Sequence, residues 1–381
     1  MAAIPCSGFI LRRGQQAAGS GTGRFTSRPE AELLPRAVQR EFADESGLFF
    51  QHDLELGSRL GLSYGLRYDY YRYLGPRNVR TYAPDRPLAT APILEETAFA
   101  AGEAIETYSG WGPRVSFRYS LNAETSLKGG YNRMYQFIHL ISNTATIAPT
   151  DVWKLSDSFL RPQTVDQYSI GLFKNFKSNI FETSVELYYK DMQNSVEYID
   201  GANLILQNHL ETELLPGRGR AYGAELFIRK NLGRTTGWLS YTYSRSERQV
   251  ITPFEEFAIN RGEWFPSNFD KPHELTLIGN YKLSALSSFS ATFTYSTGRP
   301  ITFPVAKFDF AGNALALFTD RNQQRIPDFH RLDVAYNFKF NGKSRFADGD
   351  WTFSVMNVYG RRNPFSLFFA DQAGALLRPF V

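Results

Sequence analysis

The sequence predicts an all-β protein, a transmembrane antiparallel β-barrel, and three observations predict it. Apolar residues recur with period two through long windows, no run of about 18 apolar residues offers a membrane helix, and short and long connections alternate along the chain. The 381 residues are 15% Phe, Trp and Tyr and 21% charged, with a net charge of +4. So many aromatics with so little net charge exclude disorder. A charge of +4 spread over this length provides no basic face, so nucleic acid is excluded as a partner. The lone Cys6 excludes an intramolecular disulfide framework and any cysteine zinc site.

Each window shows one oily and one wet face, because successive strand side chains point to opposite sides. Leu60, Leu62, Tyr64, Leu66, Tyr68 and Tyr70 alternate with Gly61, Ser63, Gly65, Arg67 and Asp69. Val115, Phe117, Tyr119 and Leu121 oppose Arg114, Ser116, Arg118 and Ser120. Phe181, Thr183, Val185, Leu187 and Tyr189 oppose Glu182, Ser184, Glu186 and Lys190. The pattern returns at Leu275–Leu283, at Phe289–Tyr295 and at Leu332–Phe340. Helical spacing fits none of these windows, and about twelve such strands are expected between roughly residues 45 and 360.

Soluble sandwich strands usually run about 5–6 residues, whereas these run about 10–14, matching strands that cross a bilayer. Aromatic tips such as Tyr68, Tyr70, Tyr71, Tyr73, Tyr188 and Tyr189 suit interfacial girdles. Short turns are expected near 56–59, 121–124, 176–179, 231–236, 284–287 and 341–350. Long loops rich in Pro, Gly, Asn, Asp and Arg separate them, near 74–110, 137–162, 193–219, 247–271, 297–327 and 360–376. A sandwich has no reason to alternate in this way.

Five segments carry a family pattern. Arg161-Pro162-Gln163-Thr164-Val165-Asp166-Gln167-Tyr168-Ser169-Ile170-Gly171 is similar to a Pro-x-x-x-(Asp/Glu)-Gln-x-x-x-Gly strand opening, and Gly219–Leu226 to a Gly-x-x-x-Gly-x-Glu strand. Gly237–Ser244 is similar to the strand that follows it. Phe269–Leu275 carries an Asp-x-Pro-His opening, and Trp351–Val358 with Asn363-Pro364 resembles a penultimate strand and its loop. Together they resemble the C-terminal barrel part of a TonB-dependent outer-membrane receptor, across about 160–365 and more loosely back to about residue 44. The resemblance implies a cell outer membrane location in a Gram-negative cell, and a barrel of 22 strands of which about twelve are present, incompletely closed. It implies active uptake of a metal chelate, oligosaccharide or peptide. The implied partners are outer-membrane lipid, a plug domain, the TonB complex and a surface-exposed substrate-binding lipoprotein. No segment resembles the plug or the TonB box, and Leu377–Val381 departs from the family's closing strand, so a fragment is expected. Its parts are a poorly ordered segment 1–43 and a partial barrel 44–381, with one edge of the sheet near residues 45–57.

On the strand faces, Gly171, Gly223 and Glu225 are expected to point into the lumen. A charge at the middle of the lipid face costs about 2–4 kcal/mol, and a glycine admits close approach of neighbouring groups. Tyr135, Phe137, His139 and Trp153 in one loop and Trp264 and Phe265 in another are candidate ligand contacts by stacking, with loop packing as the alternative role. No histidine pair is spaced for a metal, no catalytic or cofactor fingerprint occurs, and Glu95-Glu96 and Glu255-Glu256 read as solvated loop charge. An enzyme and a bound cofactor are therefore not expected. Met1–Gly23 lacks the basic start of a signal peptide. A passive porin or other outer-membrane barrel and a secreted all-β binding module remain the alternatives.

Overall fold

The computed structural model describes residues 6–12, 40–141, 152–202, 204, 208–310, 313–340, 349–364, 367–370 and 378–380. Its main sheet runs through β1 (Cys6–Arg12), β2 (Phe42–Leu56), β3 (Leu60–Leu74), β4 (Ala104–Ser120), β5 (Thr125–Gln136), β6 (Gln163–Phe176) and β7 (Phe181–Tyr198). It continues through β8 (Leu214–Lys230), β9 (Thr235–Gln249), β10 (His273–Lys282), β11 (Ser287–Ser296), β12 (Phe329–Phe340) and β13 (Gly349–Val355). Every pairing is antiparallel and joins sequence neighbours among these strands. The two-residue strand Phe265–Pro266 adds to β9 off this path. No described pairing links β13 to β1 or β2, so hydrogen bonds do not close the sheet. Twelve strands of this path, β2 to β13, lie between Phe42 and Val355, as the alternation predicts.

The edge differs from expectation. Residues 45–57 were expected to form it, but Cys6–Arg12 pairs with Glu45–Gln51, seven of the fifteen residues of β2. Residues 13–39, within the segment expected to be poorly ordered, lie outside the described residues, as do 1–5.

Five short connections match the expected turns: 57–59, 121–124, 177–180, 231–234 and 283–286. The sixth, 341–348, lies outside the described residues. Tight reversal needs left-handed backbone, which Gly57 supplies at φ 66° without a Cβ clash and Asn179 at φ 67°. Long connections occupy the opposite end and carry their own structure. A hairpin pairs Arg77–Tyr82 with Ile93–Phe99, a short ribbon pairs Ile138–Ile141 with Val152–Leu155, and Pro304–Phe310 pairs with Asn313–Phe318.

Register settles the faces. Leu48 opposes Tyr68, Tyr68 opposes Trp111, and Val115 opposes Tyr131, which opposes Tyr168. Farther along, Leu187 opposes Ala224, Leu277 opposes Phe293, and Tyr336 opposes Phe353. All of these share one face, and it is open: Tyr64 is 39%, Leu66 42%, Leu187 51% and Phe353 62% exposed. A soluble sandwich would bury Tyr64 and Leu66, so that architecture is excluded. Buried hydrophobic clusters instead sit among the loops. They comprise Tyr71, Tyr73, Phe137 and Leu155; then Ile141, Leu204, Leu210 and Leu214; then Val250, Ile259 and Phe265.

Candidate functional site

The loop end is organised around four buried charges. Glu41, just before β2, accepts hydrogen bonds from Lys154 Nζ at 2.6 Å and Arg77 Nη1 at 2.8 Å, and from the Tyr73 hydroxyl at 3.1 Å. Its second oxygen accepts the Leu155 backbone N–H at 2.8 Å. Lys154 also donates to Asp157 at 2.5 Å, and Asp157 accepts the Phe159 and Leu160 N–H groups at 2.9 Å each. Two cations and two anions make the quartet neutral. Burial alone would depress the Lys154 ammonium, but Glu41 and Asp157 outweigh it and hold its pKa above the usual lysine value. For Asp157 burial acts upward, yet the Lys154 charge and the two N–H donors carry its pKa below the carboxylate range. The Tyr71 hydroxyl donates to the Ser156 carbonyl, and Tyr108 to that of Asp157, so β3 and β4 grip the same short segment.

A second latch joins distant loops. Arg321 donates to Glu197, to the Tyr198 carbonyl and to Asp200, and its guanidinium lies over the Tyr198 ring at 4.6 Å. Asn260 and Arg321 exchange hydrogen bonds as well. The loops after β7, β9 and β11 therefore form one packed rim.

The candidate ligand contacts divide by burial. Phe137 is 6% exposed and stacks on Tyr71 with ring centroids 4.7 Å apart and planes at 3°. His139 is 3% exposed and hydrogen-bonded to Ser156 Oγ; burial first, then the Lys154 charge, push its pKa down to about 4. Phe265 is 2% exposed and packs with Val250 and Ile259. These three side chains are enclosed by neighbours. Tyr135 donates to the Trp111 carbonyl, and Trp264 lies under the Arg220 and Arg218 guanidinium groups. Trp153 is 45% exposed on the ribbon. Glu96 is paired, to Arg80 and Asn78, while Glu255 and Glu256 open a single 3-10 turn. Among the described residues no cluster of His, Cys, Asp and Glu is arranged to hold a metal ion.

On the polar face a single row crosses the sheet. Arg118 opposes Lys128, which opposes Gly171; Gly171 opposes Glu186, and Glu186 opposes Glu225. The row continues through Thr242 to Glu274. A Cβ on Gly171 would come within 2.7 Å of Glu186 Cγ. One on Gly223 would come within 2.4 Å of the Tyr243 carbonyl and 2.8 Å of the Tyr188 hydroxyl. A cavity of about 730 Å³ lies against this face, lined by residues from β2 to β7, Arg114 and Glu186 among them.

Residues 9–359 match the family described as TonB dependent receptor-like, beta-barrel. The chain belongs to the TonB-dependent receptor β-barrel family. No curated protein matches its sequence. Among solved structures, the FrpB iron transporter from Neisseria meningitidis (F5-1 variant) aligns with a TM-score of 0.53 at 13% identity, over 91% of this chain and 45% of that one. The ferric-catecholate import receptor Fiu from E. coli K12 gives 0.52 at 16%, over 91% and 45%. The ferripyoverdine receptor of the Pseudomonas aeruginosa outer membrane gives 0.51 at 15%, over 84% and 35%. The chain thus spans less than half the length of these TonB-dependent receptors, and at such identities the likeness is one of fold.

What sequence reasoning missed at this TonB-dependent receptor rim is the quartet. Glu41 lies 113 residues from Lys154 and has no pattern of its own.

Proposed function

We propose that this chain is the barrel part of an outer-membrane receptor that imports a bulky nutrient, energised through TonB in the protein that contains it. The observation that carries the reading is the inverted burial of the sheet. Its large apolar side chains face outward unburied, Arg118, Lys128 and Glu186 of its charged row line the cavity, and its buried clusters are confined to a packed loop rim. In water such an apolar belt would aggregate, whereas lipid satisfies it. The relatives whose names state iron, ferric-catecholate and ferripyoverdine substrates favour a metal chelate over an oligosaccharide or peptide. A plug domain would rest on the polar face, where Gly171 and Gly223 let Glu186 and Tyr188 lie flat against the sheet, and of the six candidate contacts Trp153, Tyr135 and Trp264 are the ones not enclosed by neighbours. Chemistry on the substrate is not part of this reading.

The test is chelate uptake by cells that carry the gene containing this segment, compared in strains with and without TonB. Rescue of growth on a ferric chelate only where TonB is present is the expected result. Equal rescue in both strains would establish a passive pore instead. Recovery of the chain as a soluble monomer without detergent would establish the secreted binding module.

A further inference from the structure

A second cavity, of about 590 Å³, opens at the rim between the hairpin after β3 and the ends of β7, β8 and β9. That volume falls within the range of small-molecule pockets, about 300–1,000 Å³. Its wall is apolar: Phe159 packs edge-on to Tyr82 at 5.8 Å and 71°, and Leu214, Ile251, Phe254 and Phe257 complete it. Polar groups are few, chiefly the hydroxyls of Thr81, Ser158, Thr212 and Thr252, and no Asp or Glu lines it. Two arginines do. Arg80 is neutralised by Glu96 at 2.8 Å. Arg86 is exposed at the cavity and has no ion-pair or hydrogen-bond partner among the described residues; Asp85, its neighbour in sequence, is also exposed and does not line the cavity.

We infer that this cavity binds an amphipathic monoanion, an aliphatic or aryl body seated against Tyr82, Phe159 and Phe254 with its carboxylate on Arg86. An oligosaccharide is disfavoured, because each buried sugar hydroxyl needs a partner and the wall supplies few. A cationic ligand meets an unpaired guanidinium without a compensating carboxylate. The apolar wall provides affinity without direction, and the single fork-shaped donor fixes which end of the ligand is held. This assignment rests on the receptor reading above, and binding is measured apart from uptake so that the two fail separately.

The test places the 381-residue chain in lipid nanodiscs and titrates octanoate, 1-octanol, octylammonium and maltotriose by saturation-transfer NMR, with empty nanodiscs subtracted. Octanoate should bind saturably and roughly tenfold or more tightly than octylammonium or 1-octanol, the usual scale of one charge-assisted hydrogen bond. Arg86→Gln should weaken octanoate about tenfold while leaving 1-octanol unchanged, and Arg86→Lys should restore part of the loss. Phe254→Asp should abolish octanoate binding, with folding checked by the mobility of the unheated protein on a denaturing gel. Equal binding of octanoate and octylammonium, saturable binding of maltotriose, or an Arg86→Gln variant indistinguishable from the parent would overturn the assignment. TonB-independent uptake would overturn the receptor reading and leave these affinities as they are.

Discussion

Replacing Lys154 by Met removes the cation that two buried carboxylates share. Its Nζ lies 2.6 Å from Glu41 and 2.5 Å from Asp157, and its side chain is 3% exposed. Met keeps the volume of the stem, so packing against Tyr73 is largely retained while two ion pairs vanish. Arg77 still holds Glu41 at 2.8 Å, and the Phe159 and Leu160 N–H groups still hold Asp157, but the quartet now carries one excess negative charge in a buried place. Breaking a buried pair from one side costs about 3–5 kcal/mol. The cost should appear locally, because the ribbon that pairs Ile138–Ile141 with Val152–Leu155 hangs on this contact while the sheet hangs on its own ladder. Amide hydrogen exchange in nanodiscs reads it directly: protection of the ribbon should fall roughly a hundredfold or more, with β6 to β9 unchanged. The double variant Lys154→Met with Glu41→Gln restores the charge balance and should regain part of that loss, since the two sites are directly coupled. A ribbon whose protection changes less than about threefold in Lys154→Met would refute the account of the quartet as the support of the rim.

Other substitutions probe the rest of the molecule. His139, whose pKa lies near 4 in the fold against about 6.5 when unfolded, stabilises the ribbon above about pH 6.5 and loses that contribution as pH falls toward 4. Exchange-derived ribbon stability should therefore drop by about 3 kcal/mol between pH 8 and pH 4, and His139→Gln should flatten the slope. Gly223→Ala forces a Cβ against the Tyr243 carbonyl and the Tyr188 hydroxyl, and should cost about 1–3 kcal/mol in urea unfolding from lipid vesicles. Leu187→Arg, at an outward site that is 51% exposed, should cost about 2–4 kcal/mol in the same vesicles. An unchanged midpoint there would contradict a lipid-facing belt.

The sheet was legible in the sequence because each residue reports its own side. Leu187 and Glu186 face opposite media whatever their distant neighbours are, so period two survives without tertiary information. Turns were legible for the same local reason, as at Gly57 and Asn179, where the backbone itself demands the residue. The rim was not. Phe137 and Trp153 are both loop aromatics between β5 and β6, yet one is stacked beneath Tyr71 and the other is open. The difference lies in where β3 ends, far along the chain. Glu41 is the clearest case: one of three acids in a segment expected to be poorly ordered, made central by Lys154 and Arg77, which reach it from two separate loops. Pocket residues such as Phe254 and Arg86 gave no periodic signal either, since their common cavity exists only after four connections have converged.

Because each main-sheet strand is zipped only to the one before and the one after it, the wall has no keystone. Its strand number is set by how many hairpins the chain encodes, and among the described residues no main-sheet pairing joins strands that are not successive members of that sheet. A gene can lengthen or shorten such a wall two strands at a time, leaving every remaining register and every inside-outside assignment untouched. The loops that latch across several hairpins, at Glu41 and at Arg321, are the parts that such an edit would break. Circumference is therefore the freely evolvable dimension of this architecture, and the rim is what ties it to one size.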